Sequence, residues 1–358
     1  MHHQRAIRQA GHRRLSSRTR LACTRGPHPA AKYPAPGVLG PDGGRWRGVG
    51  ACVLPIRHHE VRMFTKVIIG VDGHEGGRDA IALARALAPG AELVLACAYP
   101  YDERRSRFAL QGFAIALREE ALHMLRAERE AAGDETLRAV TVADPAPARG
   151  LQQVAADEHA DLLVVGSSHR GPAGRVLLGD VSRSVLHGAP CAVAVAPRGV
   201  AAGTPATIGV AFDGSSESVH ALELAAALAQ ELGATLQVAE GIELGFVPAR
   251  TGFDIVGLME DLREASQTTL DHRLEALPVP ATGVAVVGRT RATLGELAAR
   301  VDLMVCGSRG WGPVRQVVLG STADHLIHHA HCPVLVVPRG AEAPAGAPAS
   351  AESAGAHG

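Results

Sequence analysis

From Val67 onward, short apolar runs alternate with longer stretches in which apolar positions recur every three or four residues. Runs of four to eight apolar residues read as strands, and the longer periodic stretches read as amphipathic helices. The pattern predicts strands over 67–71, 92–98, 137–142, 162–165 and 191–196, with helices over 75–87, 111–132, 147–159 and 180–187. A second series follows, with strands over 207–212, 235–239, 284–287, 303–306 and 333–337 and helices over 217–232, 258–277, 292–300 and 322–329. Strands that are apolar on both faces and alternate with helices belong to a parallel sheet covered on both sides. Such sheets bind ligands beyond the carboxyl ends of their strands, where the strand order reverses.

The two series are one unit written twice. VIIGVDG (67–73) matches IGVAFDG (208–214), which pairs Asp72 with Asp213. ADLLVVGSS (160–168) matches VDLMVCGSR (301–309), and HGAPCAVAVAPRG (187–199) matches HHAHCPVLVVPRG (328–340). The offset is 141 residues in all three blocks. A register kept over that distance means tandem copies of one domain, expected over 63–200 and 204–340. The connection over 201–205 is too short for a free linker, so the copies are expected to lie close together.

Charge divides along the chain. Residues 1–62 hold 12 basic side chains against Asp42 and Glu60, which leaves 24 basic and 34 acidic residues for the rest. An acidic body argues against a nucleic-acid or anionic-membrane partner, and no apolar run approaches the roughly 20 residues needed to span a bilayer. The first 62 residues are rich in Arg, His, Pro and Gly without periodicity, and are expected to be disordered. They read as a start assigned upstream of the true one at Met63, as a basic tail, or as an organelle-targeting leader. The Ala/Pro/Gly/Ser-rich end, 341–358, is expected to be a disordered tail. Six cysteines without a C-x-x-C pair point to a reduced, cytoplasmic setting.

Candidate chemistry gathers after the fourth strand of the second copy, where Gly307, Gly310 and Gly320-Ser321 form a G-x2-G-x9-G-S pattern opening into a helix. Glycines let backbone amides approach a ligand closely, and a helix start adds unpaired N–H groups and the positive dipole end. Phosphate suits such a loop. Asp213, at the carboxyl end of the first strand, flanks the same crevice and could bind a sugar or base, or help hold Mg²⁺. The same residues also suit a plain strand-to-loop glycine and a helix cap. Neither a Walker A loop nor a dinucleotide fingerprint is present, since Arg315 stands where the third glycine of the latter would fall.

The repeated VDG, the G-x2-G-x9-G-S loop and the closing CPVLVVP strand resemble the universal stress protein family in tandem form, over about 64–340. That resemblance implies two Rossmann-like α/β domains, each a five-stranded parallel sheet of order 3-2-1-4-5, and ATP binding by the fourth-strand loop. It places Gly307, Ser308, Arg309, Gly310, Gly312, Arg315, Gly320, Ser321 and Thr322 around phosphate and ribose, with Asp213 and the second-strand end near Val238 by the nucleoside. It implies a stress-response regulator rather than an enzyme, with Mg²⁺ accompanying ATP. A fold-retaining scaffold or sensor that binds no nucleotide is the alternative. The last strand of each copy is expected to be an apolar edge that pairs with its counterpart into an internal pseudo-dimer, with homodimerisation a further expectation.

The first copy departs from this pattern. Asp72, Gly166, Ser167, Gly171, Arg175 and Gly179 align with the second-copy site, but His169 replaces the second glycine and Asp180 replaces the serine. A carboxylate beside a phosphate costs on the order of 4 kcal/mol at 4 Å and an effective dielectric near 20. The second copy is therefore the expected main site, although Asp180 also suits a plain N-cap. His325, His328, His329 and His331 cluster late in the second copy, without acidic ligands beside them, and read as structural or surface histidines.

Overall fold

The computed structural model describes residues 62–102, 111–167, 176, 179–199, 203–242, 255–308 and 320–338. The first half runs β1 (Lys66–Gly70), α1 (Glu75–Leu87), β2 (Glu92–Tyr99), α2 (Gln111–Ala131), β3 (Arg138–Ala143), α3 (Pro147–Asp157), β4 (Leu162–Gly166), α4 (Asp180–Leu186) and β5 (Ala192–Ala196). The second runs β6 (Thr207–Phe212), α5 (Ser216–Leu232), β7 (Thr235–Ile242), α6 (Ile255–Glu275), β8 (Ala281–Val287), α7 (Thr290–Ala298), β9 (Leu303–Gly307), α8 (Ser321–His329) and β10 (Val334–Val337).

All ten strands form one sheet, in the order β3-β2-β1-β4-β5-β10-β9-β6-β7-β8. Each half has the expected order and is parallel throughout. The exception is the seam, where β5 and β10 run antiparallel with Val193 opposite Val336 and Val195 opposite Val334. The last strands are therefore no outer edges of the molecule but its centre. All four seam valines are fully buried. With both strands consumed internally, neither is open to a second copy.

Side-chain alternation along the strands feeds two helical layers. Val67 and Ile69 join Ile208, Val210 and Phe212 under α1, α2, α5 and α6, in a core that spans both halves. Ile68 and Ala211 face the opposite layer, built by Leu151 and Val154 of α3, Val185 of α4, Leu294 of α7 and Ile327 of α8. Further bonds cross between the halves. Met63 N–H donates to Glu231 Oε2 at 2.7 Å, Val176 N–H donates to Ala330 O at 3.2 Å, and Arg183 Nη2 lies 2.6 Å from His328 Nε2. Because His328 Nδ1 sits 2.7 Å from the carbonyl of Asp324, which can only accept, Nε2 is the nitrogen left to accept from Arg183.

At the outer edge of the second half, the Gln267 amide of α6 lies along β8. It donates to Gly283 O at 3.1 Å and accepts from Ala285 N–H at 2.8 Å, a side-chain stand-in for a further strand.

Candidate functional site

Each half begins its first crossover in the same way. Asp72 Oδ1 accepts from His74 N–H, and Asp213 Oδ1 accepts from Ser215 N–H, both at 3.1 Å. The intervening Gly73 and Gly214 take left-handed φ values of 78° and 76°. This carboxylate-to-backbone turn aims the chain from strand into helix, so the aspartate is built in before any ligand is considered. The second copy strengthens it, since Ser215 also caps α5 by accepting from Ser218 N–H. His74 gives α1 no side-chain cap.

Above the carboxyl ends of β6, β7 and β9 lies a cleft of about 220 Å³. Asp213, Ser215 and Glu217 line it from the β6–α5 turn, Gly307 and Ser308 from the end of β9, and Gly320 and Thr322 from the start of α8. Gly241, Thr290 and Leu294 close the side toward α7. In the strand order β9-β6-β7 the chain crosses in opposite directions from β6, which is the switch point of an open α/β sheet.

Of the second-copy residues expected at this site, Asp213, Gly307, Ser308, Gly320 and Thr322 are brought together, and Ser321 is the first residue of α8. Arg309, Gly310, Gly312 and Arg315 lie outside the described residues, as do His169, Gly171 and Arg175 of the first copy. Val238 is a correction. It is buried in the core layer beneath α5 and α6 and does not line the cleft, because β7 runs on to Ile242 and brings Gly241 to the strand end instead. Asp180 and Ser321 are not caps either. Gly179 and Gly320 hold the cap positions, with extended backbone, and the aspartate and serine follow as first helical residues.

The glycine ending the fourth strand has a packing reason of its own. A Cβ on Gly307 would sit 2.7 Å from the Glu217 carbonyl oxygen, and one on Gly166 would sit 2.1 Å from that of Gly76. In both halves the strand end is pressed against the first turn of the first helix. In the first copy Ser182 Oγ also donates to Gly166 O at 2.7 Å. Gly179 precedes α4, the helix that carries Ser182, and Asp72 stands exposed just past the end of β1.

Two cleft hydroxyls stand out. Ser308 is fully buried, and its Oγ has no hydrogen-bond partner. Thr290 Oγ1 is likewise sealed and without a partner. Ser167 Oγ, which aligns with Ser308, is in the same condition in the first copy. A buried hydroxyl left unsatisfied costs about 1–3 kcal/mol, so such atoms mark places where a ligand or water completes the structure.

Burial pushes the Glu240 carboxyl up from its ordinary value, Arg273 opposes that, and the negative Asp213 adds to it. Arg273 also lies over the Phe212 ring, 5.5 Å from its centroid. Cys306, in the cleft floor, has its thiol pushed up to about 12 by burial, which makes it a packing residue rather than a nucleophile. The other described cysteines, Cys97, Cys191 and Cys332, are also buried and free. His325 and His329 stack on one face of α8 with centroids 4.2 Å apart. No group of three or more His, Cys, Asp or Glu able to hold a metal occurs among the described residues. No described helix is long and apolar enough to cross a membrane.

An open, Rossmann-like α/β sheet with a polar cleft at its switch point defines the class. A family model described as the universal stress protein family matches residues 63–197 and again 206–338, and the chain belongs to that family. A universal stress protein of Mycobacterium tuberculosis H37Rv is 34% identical over 191 residues, covering 49% of this chain and 61% of that protein. Another from the same organism is 27% identical over 198 residues, covering 53% of this chain and 68% of that protein. Among solved structures, a universal stress protein of Archaeoglobus fulgidus DSM 4304 covers 77% of this chain and 98% of its own, at a TM-score of 0.54 and 20% identity. At that identity the likeness speaks for the fold alone.

Proposed function

We propose that the second copy binds an adenine nucleotide, ATP with Mg²⁺, and that the protein acts as a nucleotide-dependent regulator in a stress response. The observation that carries this reading is the buried, partnerless Ser308 hydroxyl in a cleft at the switch point, beside the start of α8. The strand order supports one direction for the ligand. Phosphates would lie over β9 and the α8 start, where Gly320 and Ser321 offer backbone N–H groups and the positive end of the helix dipole. The sugar would lie by Asp213 over β6, and the base over β7. Mg²⁺ would ride on the phosphate oxygens with Asp213 beside them. ATP occupancy would then alter a surface read by partners, without turnover. Four buried thiols suit a reduced compartment such as the cytoplasm.

A second reading, a scaffold that keeps the fold without the nucleotide, draws on Gly307, whose missing side chain is explained by packing alone. Titration of the full chain with ATP separates the two. Ser321→Asp is the informative variant, because the first copy carries Asp180 at the aligned position and folds. The expected result is saturable binding in the wild type and a loss of at least about tenfold in the variant, as a carboxylate meets the phosphates. No binding at millimolar ATP would leave the scaffold.

A further inference from the structure

Thr290 is the first residue of α7 and faces the end of β7 across Gly241. A Cβ on Gly241 would lie 2.1 Å from Thr290 Cγ2 and 2.6 Å from its Oγ1, so the glycine is what allows this side chain to lie against the strand end. The hydroxyl has no protein partner, yet the residue lines the cleft, next to the apolar wall of Leu294, Ala211 and Cys306. An apolar slot holding one unspent donor-acceptor suits a flat heterocycle with polar atoms on its edge, whereas phosphate calls for several donors at once. The strand order puts Thr290 at the opposite end of the cleft from Gly320.

We infer that Thr290 is a specificity-determining residue that hydrogen-bonds the edge of the nucleotide base, an inference that rests on the nucleotide reading above. In the structure Oγ1 is turned toward Gly241, so the contact requires a turn about χ1 to another staggered well. The first copy lacks the device. Pro147 opens α3 where Thr290 opens α7, and Ala98 holds the strand position of Gly241, so neither the hydroxyl nor the glycine is present there.

The test compares ATP with UTP, which share sugar and phosphates, by calorimetric titration of the full chain. Thr290→Val keeps the branched shape against Gly241 and removes only the hydroxyl. ATP affinity should fall about tenfold and UTP affinity less than about threefold, and Thr290→Ser should recover most of the ATP affinity. A melting temperature within about 2 °C of wild type shows that the fold is intact. Unchanged ATP affinity, an equal fall for both nucleotides, or a wild type that does not distinguish them overturns the role of Thr290 and leaves nucleotide binding standing. A wild type that binds neither nucleotide overturns both.

Discussion

The first half laces the rim at the amino ends of its strands with charge, whereas the second leaves that rim nearly bare and adds, at the carboxyl ends, the partnerless Thr290 hydroxyl to the one that Ser308 shares with Ser167. Lys66, which opens β1, donates to Glu158 at 3.1 Å, and Arg138, which opens β3, donates to both Glu158 oxygens at 2.7 and 2.5 Å and to Glu92 at 3.3 Å. By strand register and helix end, the matching residues of the second half are Thr207, Thr235, Thr282 and Ala299, none of which carries charge. What both halves keep is the aspartate that staples the first strand. Asp161 accepts from Thr65 and Lys66 N–H, and Asp302 accepts from Ala206 and Thr207 N–H. The framework is held in common, then, while the two rims have diverged in opposite directions. Local chemistry, not fold, is where the copies differ.

The strongest way to break this comparison is to attack what joins its two sides. Val336 is fully buried at the seam, opposite Val193 and beside Cys306 of β9. Val336→Asp puts an unpaired carboxylate there, and a loss of about 4 kcal/mol is expected in denaturant unfolding. Amide exchange should rise in both halves together. Faster exchange confined to the second half would show that the halves do not share one cooperative sheet.

A smaller effect compares the two fourth-strand glycines. Gly166→Ala and Gly307→Ala both force a methyl against helix backbone, and overpacking of this kind costs about 1–3 kcal/mol. The tighter approach at Gly166 predicts the larger loss there, read as the difference in denaturant midpoint between the two variants. Equal losses would mean that the helix starts shift freely and that the 2.1 Å and 2.7 Å approaches carry no distinction.

The smallest effect is acid sensitivity. Hydrogen bonds from Arg138 and then Lys66 hold the Glu158 carboxyl down at about 2, from an ordinary 4.5. A depressed acid lends its stability above its unfolded value and loses it as pH falls toward the folded one. Between about pH 4.5 and pH 2 local amide protection at the Lys66, Arg138 and Glu158 rim should therefore fall sooner than at the matching rim of the second half, ahead of any loss of the shared sheet. Arg138→Met should narrow that gap, and the contribution is small because the network is at the surface.

The alternation of apolar runs and the 141-residue repeat were enough to read a parallel sheet covered on both faces and written twice, because burial on both strand faces leaves a continuous apolar signature, whereas the strand order came only with the family resemblance. Strand ends were less legible. Glu240, Gly241 and Ile242 extend β7 beyond the expected 239, and their mixed polarity hides the pairing with Ala285, Val286 and Val287 that keeps them extended. That hidden extension is why Val238 was expected at the cleft and Gly241 was not. Thr290 left only a faint signal, a hydroxyl residue at a helix start with a glycine at the end of the strand it packs on. Gln267 left none, since an amide on a helix does not announce that it will lie along a strand edge. The aspartate turns were legible in VDG and FDG, but their first task proves to be turning the chain.

The antiparallel seam has a directional consequence. Every strand of one half points opposite to every strand of the other, so their carboxyl ends emerge on opposite borders of the ten-stranded sheet. A macromolecule gripping one border has no view of the other. Because a single covalent chain carries both halves, dilution cannot part them as it parts two separate subunits. Each border is then at liberty to acquire its own occupant while the shared centre stays as it is.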